Sequence, residues 1–165
     1  MSAQPVLLRA GTPGDIPFIL KSWLSSFRHS YHVRGIEGPV YFAEHRRIVE
    51  QLIPRCGVLV ACDRQDPTMI YAFLVSEVID RALVVHWVYV RSTFQDFGIG
   101  TKLIAEVLKH EPDLVAIIYT HQTKAGRKWA GKMQDRTPFL PTSDGSEVRM
   151  PVIYNPYLMY RTLGT

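Results

Sequence analysis

Only two cysteines, Cys56 and Cys62, occur among 165 residues. They form no Cys-x-x-Cys pair, and no His/Cys cluster with zinc spacing accompanies them, so neither a disulfide framework nor a zinc-finger scaffold organises the chain. Both are read as buried free thiols. Long hydrophobic runs are missing too: no apolar stretch approaches the roughly 18 to 20 residues that span a bilayer. Residues 1–8 lack the basic start and apolar stretch of a secretory signal. The expectation is a soluble, cytoplasmic protein. No internal repeat or low-complexity segment occurs, which argues against a solenoid or a disordered chain. A strong charge of one sign is absent as well. The formal net charge of +4 favours anionic partners such as phosphates, nucleotides or nucleic acid without choosing among them.

What is present is 47% hydrophobic content over a length that suits one core, so residues 1–165 are read as one domain. The run from Val6 to Ala10, closed by Gly11, reads as a strand. Thr12 with Asp15 fits a capping pattern, Pro13 suits a first helical position, and Ile16, Ile19, Leu20, Trp23, Leu24 and Phe27 recur at helical spacing. Pro17 removes a donor near that first turn, which moves the helix start toward Asp15. A second helix carries Tyr41, Phe42, His45, Ile48, Val49, Leu52 and Ile53 and stops at Pro54. The β-rich segments GVLVACD, MIYAFLVSEV and ALVVHWVYV follow, separated by RQDPT and IDR, and predict an antiparallel meander. A helix over about 98–110, a doubly apolar strand LVAIIYT and a basic helix over about 124–133 imply a parallel crossover. The remainder, TPFLPTSDGSEVRMPVIYNPYLMY, is predicted to close the fold as a hairpin made irregular by its prolines.

Two glycines stand at the mouth of the third helix, in Gln95-Asp96-Phe97-Gly98-Ile99-Gly100-Thr101. The first four N–H groups of a helix lack internal partners and lie at the positive end of its dipole, so a helix mouth is a natural anion site. Glycine removes steric walls there and allows unusual backbone angles, at about 1 kcal/mol where helix interior is concerned. A tight strand-to-helix turn or close helix-to-sheet packing would also call for glycine. A dinucleotide fingerprint would need glycine where Leu103 stands, and a Walker loop would need Gly-Lys-Ser/Thr where Gly100-Thr101-Lys102 stands. Neither matches. What remains is Q-x-x-G-x-G between a strand and an amphipathic helix.

In that setting the segment resembles the signature loop R/Q-x-x-G-x-G/A of the GNAT acyltransferase superfamily. Tyr89-Val90 before it, Phe94, and the run from Gly98 to Ile104 are similar to that family's usual text, and the order of predicted elements follows the family across nearly the whole chain. The resemblance implies an α/β (α+β) fold with a mixed, mostly antiparallel central sheet, helices on both faces, and the order β-α-α-β-β-β-α-β-α-β-β. It implies acetyl-CoA or a related acyl-CoA as co-substrate and no metal. Backbone amides of Gln95, Asp96, Phe97, Gly98, Ile99, Gly100 and Thr101 would wrap the pyrophosphate, and the pantetheine arm would lie along Val88, Tyr89 and Val90.

By spacing, the family's asparagine falls near Gln122 and its acid tyrosine near Trp129. An indole N–H cannot supply a proton as a phenol can, so Tyr119 or His121 at the end of the buried strand are the substitute candidates. The family's basic glutamate falls on Val84. His86, two residues on and on the same strand face, has a suitable ordinary pKa of about 6.5 and is the candidate general base, with Glu77 a second choice.

The implied reaction is N-acetyl transfer directly from the thioester to a small-molecule or peptide amine. Cys56 and Cys62 lie away from the loop and have no activating motif, which disfavours a thiol intermediate. The first two helices would wall the acceptor, with Tyr31, His32 and Arg34 in the loop between them; the sequence names no substrate. Two other readings stay open. One is a nucleic-acid-directed protein, in which the run Lys124, Arg127, Lys128, Lys132 and Arg136 grips phosphates, although the same run suits the solvated side of a helix. The other is a non-catalytic acyl-CoA-binding module. A homodimer is compatible with this kind of fold.

Overall fold

The computed structural model describes residues 6–30 and 32–160, so Tyr31 lies outside the described residues. The apolar segments pair as expected. Strands β2 (Gly57–Asp63), β3 (Ile70–Ile79) and β4 (Ala82–Val90) form an antiparallel meander, and β1 (Val6–Ala10) adds antiparallel to β2. Asp80 and Arg81, both at positive φ (48° and 65°), make the two-residue turn between β3 and β4. That geometry matches the right-handed twist of the flanking strands. Helix α3 (Ile99–His110) then carries the chain back over the sheet, and β5 (Ala116–Tyr119) pairs parallel to β4. Helix α4 (Lys124–Gln134) follows, capped by Thr123, whose hydroxyl accepts from the Gly126 amide at 2.8 Å.

Helices α1 (Ile16–Phe27) and α2 (Gly38–Leu52) precede the meander. A single 3-10 turn at Pro13–Asp15 leads into α1, which places Pro17 in the first turn where a missing donor costs nothing. Asp15 accepts from the Thr12 amide at 2.7 Å and from both terminal nitrogens of Arg9 at 2.7 and 2.9 Å, which ties the helix start to β1. Ile19, Trp23, Leu24 and Phe27 of α1 and Val49 and Leu52 of α2 pack with Phe73, Val75 and Trp87 on one face of the sheet. Leu103 and Ile104 of α3 pack with Leu74, Leu83, Val85 and Ile117 on the other. Burial on both faces explains why β3 reads as an almost unbroken apolar run.

The closing segment departs from the expected hairpin. A short hairpin does form, β6 (Phe139–Pro141) with β7 (Glu147–Arg149), but it stands as a separate two-stranded sheet. A further strand, β8 (Val152–Tyr154), pairs parallel to β5 and completes the six-stranded order β1-β2-β3-β4-β5-β8. Prolines 138, 141 and 151 cannot donate to a ladder, which limits each piece to three residues. The Gln134 side chain bridges the join, accepting from the Val152 amide at 2.8 Å and donating to the Met150 carbonyl at 3.1 Å.

Candidate functional site

The pairing of β4 with β5 stops at Val85 and Tyr119, and a last bond runs from the Thr120 amide to the Val85 carbonyl at 3.1 Å. Beyond it β4 continues to Val90 with only β3 beside it, so the main-chain edge of residues 86–90 that faces β5 is released. The register on the β3 side slips at the same place: Val75 pairs with Trp87 and Ser76 with Val85, leaving His86 as the extra residue of a β-bulge. As a result Val85 and Val88 both pack on the α3 side, while Trp87 and Tyr89 pack with α1 and α2.

The released edge runs directly into the glycine loop. A 3-10 turn at Ser92–Phe94 is anchored by Phe94 stacking on Tyr71 at 4.0 Å, and the Gln95 side chain donates to the Val90 carbonyl at 3.2 Å. Asp96 and Gly98 then adopt left-handed angles, φ 71° and 73°, and Gly98 caps α3. Alternation of this kind curls successive amides into a concavity. Among the described residues, the amides of 96–98 and of the first helical turn, 99–101, find no acceptor within the chain. Gly100 has a different reason: a Cβ there would stand 3.4 Å from Val88 Cγ1 and 3.6 Å from Val90 Cγ2, so anything larger than alanine fills the gap between helix and strand edge. Phe97 is 63% exposed at the loop tip and Ile99 is buried beneath it.

On the face covered by α1 and α2, three histidines form a chain that no sequence spacing indicates. His86 Nδ1 and His121 Nδ1 each lie 2.9 Å from the buried Thr120 hydroxyl, and His121 Nε2 lies 3.0 Å from His45 Nε2. His121 is boxed by the rings of Trp23, Phe27 and Trp87, and His45 stacks on Tyr41. Burial pushes His45 and His86 down to about 4 and His121 well below its ordinary value, so all three are neutral at pH 7. His86 Nε2 faces Glu77 Oε1 at 3.6 Å, and Arg55 Nε donates to Glu77 Oε2 at 3.0 Å. The expected base and one expected acid are thus brought together through Thr120, whereas Glu77 is committed to Arg55.

Tyr119 points to the other face of β5. Its hydroxyl accepts from Gln122 Nε2 at 3.4 Å, and its ring lies 5.3 Å from that of Tyr154. The Gln122 carbonyl accepts from Ser30 Oγ at 2.9 Å, and its Oε1 lies 3.4 Å from both His32 Nε2 and Arg127 Nη2. Gln122 therefore joins β5, α4 and the loop after α1. Trp129 packs inward with the α3-side core, and its indole N–H is buried without an acceptor among the described residues. Lys124, Arg127, Lys128, Lys132 and Arg136 are all exposed, as a solvated helix side would be.

No protein-family model matches the chain, and no curated protein matches it. Solved structures do resemble it. They include the PaiA N-acetyltransferase from Thermoplasma acidophilum in complex with coenzyme A, with TM-score 0.58 and 16% identity over 87% of this chain and 95% of that one. A GNAT family acetyltransferase from Elizabethkingia anophelis with acetyl-CoA bound gives TM-score 0.53 and 17% identity over 86% of this chain and 80% of that one. Arabidopsis thaliana NAA60 in complex with a bisubstrate analogue gives TM-score 0.57 and 15% identity over 84% and 85%. The chain has the fold of the GNAT acetyltransferases, with the mixed, mostly antiparallel sheet that the sequence implied.

Proposed function

We propose that the protein is an acetyl-CoA-dependent N-acetyltransferase that moves the acetyl group directly to an amine. One observation carries this reading: a helix mouth whose amides at 96–101 lack acceptors among the described residues opens beside a strand edge, 86–90, that β5 has released. The first suits a diphosphate and the second suits an extended arm bearing amides, which together describe the two halves of coenzyme A. The bound coenzyme A and acetyl-CoA of the Thermoplasma and Elizabethkingia proteins support it.

In this reading Gln95, Asp96, Phe97, Gly98, Ile99, Gly100 and Thr101 hold the diphosphate, and the backbone of Val88, Tyr89 and Val90 holds the pantetheine arm. Tyr119 gives its phenolic proton to the departing sulfur, and the Gln122 amide, already on that oxygen, steadies the charge left behind. The Trp129 indole, packed inward, is not an acid. His86 and His121 have their nitrogens turned to Thr120, Glu77 and His45 and their basicity lowered by burial, so they brace the fork of the sheet. The proton the amine loses returns to the Tyr119 phenolate once the phenol has protonated the sulfur. Much of the rate then comes from positioning. His32, beside Gln122, lies on the acceptor side.

Calorimetry with acetyl-CoA, on wild type and on Gly100→Trp, tests the cofactor half. A loss of affinity of at least about tenfold with an unchanged circular dichroism spectrum is expected, because the indole would occupy the gap to Val88 and Val90. Unchanged affinity would place the cofactor elsewhere. Thiol release against a panel of amines and peptides tests transfer, and tight binding without release on any of them would favour the non-catalytic acyl-CoA-binding module.

A further inference from the structure

Behind the fork, on the side away from the loop, the orphaned polar atoms of two buried side chains face each other. His86 has a fully buried side chain and Glu77 one that is 9% exposed. His86 Nε2 and Glu77 Oε1 have no hydrogen-bond partner among the described residues, and at 3.6 Å they are too far apart to satisfy each other. Cys56 completes the group: its Sγ is 3.5 Å from Glu77 Oε2, and one ligand atom from each of Cys56, Glu77 and His86 falls within 4.8 Å of the others. An imidazole nitrogen and a carboxylate oxygen left unpaired in the interior are costly, and a cation joins them when that nitrogen is the unprotonated one.

We infer that Cys56, Glu77 and His86 form a binding site for one thiophilic divalent cation of the zinc class, held as a structural ion at the β4 bulge. Metal–nitrogen and metal–oxygen bonds of about 2.0–2.2 Å and a metal–sulfur bond of about 2.3 Å set tetrahedral ligand separations of roughly 3.3–3.6 Å. The His86 Nε2–Glu77 Oε1 distance of 3.6 Å already lies in that range, whereas Cys56 Sγ sits 3.5 Å from the other carboxylate oxygen, Oε2, so the flexible thiol has to swing toward Oε1 and Nε2 to complete the set. On binding, the Cys56 S–H bond breaks, its proton leaves to solvent, and the thiolate bonds the metal. The cation's two charges are then balanced by thiolate and carboxylate, with Arg55 staying on Glu77 Oε2. Glu77 and Arg55 also line a cavity of about 610 Å³, the side from which a cation would reach the Glu77 carboxylate and where a water would complete the fourth position.

The surroundings of His86 fit a ligand. A metal-bound imidazole donates its other N–H to a neighbouring acceptor, and His86 Nδ1 lies 2.9 Å from the Thr120 hydroxyl. With His86 Nδ1–H donating, one direction satisfies the chain: Thr120 O–H to His121 Nδ1, then His121 Nε2–H to His45 Nε2. A single ion would join the start of β2, β3, the β4 bulge, the end of β5 and α2.

The test uses tag-free protein freed of metal with a chelator. Titration with Zn²⁺ followed by calorimetry is expected to show one equivalent taken up, with the melting midpoint raised by roughly 5–10 °C at a hundredfold excess over Kd. Co²⁺ should produce a near-ultraviolet sulfur-to-metal charge-transfer band that Cys62→Ser keeps and Cys56→Ser loses. Zn²⁺ should also shield Cys56 from alkylation, read by mass spectrometry on the unmodified sequence, which needs no variant to fold. Absence of stoichiometric uptake at micromolar metal, or uptake, band and shielding indifferent to Cys56, would overturn the assignment.

Discussion

Gly98 and Gly100 serve the loop in different ways, and substitution separates them. Gly98 sits at φ 73° with open space around it, so Gly98→Ala meets no clash and costs about 1–2 kcal/mol of backbone strain. Its effect should appear in stability, measured by denaturant melts, more than in affinity; Gly100→Trp should show the reverse. Tyr119 is the side chain on which the proposed chemistry turns. Tyr119→Phe should lower kcat by about ten- to a hundredfold while leaving acetyl-CoA affinity unchanged, because only the proton is removed. An unaltered kcat would take Tyr119 out of the mechanism. His45 and His121 give a pH signature. Unfolded imidazoles titrate near 6.5, whereas His45 in the folded protein titrates at about 4 and His121 lower still. Within that window the unfolded chain binds more protons, so stability is fully present above about pH 6.5 and falls as pH drops. The slope is about 1.4 kcal/mol per pH unit for each histidine, and urea midpoints between pH 7 and 4.5 would reveal it.

Helix α3 couples the loop to the core. Its first turn carries the unbonded amides, and the next carries Leu103 and Ile104, both fully buried against β3, β4 and β5. Leu103→Ala should cost about 3 kcal/mol and lower the melting midpoint by roughly 6–12 °C in a chain of this length. A loss under about 1 kcal/mol would mean that the helix is not seated as described. The β4 bulge matters for the opposite end of the same site. By inserting His86 it turns Trp87 to the α1 and α2 side and frees the edge that follows, which an unbroken strand paired with β5 would not offer. Helix α4 contributes packing through Ala130 and Met133 and presents its cations outward, with Arg127 also reaching the Gln122 side chain beside the fork.

Across the chain, the sheet separates a core under α3 from a core under α1 and α2, which in the proposed function are the cofactor side and the acceptor side, and the fork at residues 85 and 119 lies between them. Amide hydrogen exchange should therefore respond to acetyl-CoA in one pattern. Protection is expected at residues 95–102 and along 87–90, with the α1 and α2 core unchanged. Protection spread instead over α4 would favour an anion-gripping role for its basic residues.

Much of this architecture is legible in the letters. Periodicity of 2 and 3.6 separates strands from helices because each element must turn its apolar residues toward a core, and the mouth of α3 is readable because glycine at a helix start is costly without a local reason. The closing segment was less so, since strands of three residues carry too little pattern to reveal that β8 would join β5 while β6 and β7 pair apart. Tertiary structure alone decided which polar side chains meet. Cys56, Glu77 and His86, or His45, Thr120 and His121, are separated by up to 76 positions and come together only through strand register and a one-residue bulge. A slip of one residue in that register would send each to the other face, and no local composition encodes it.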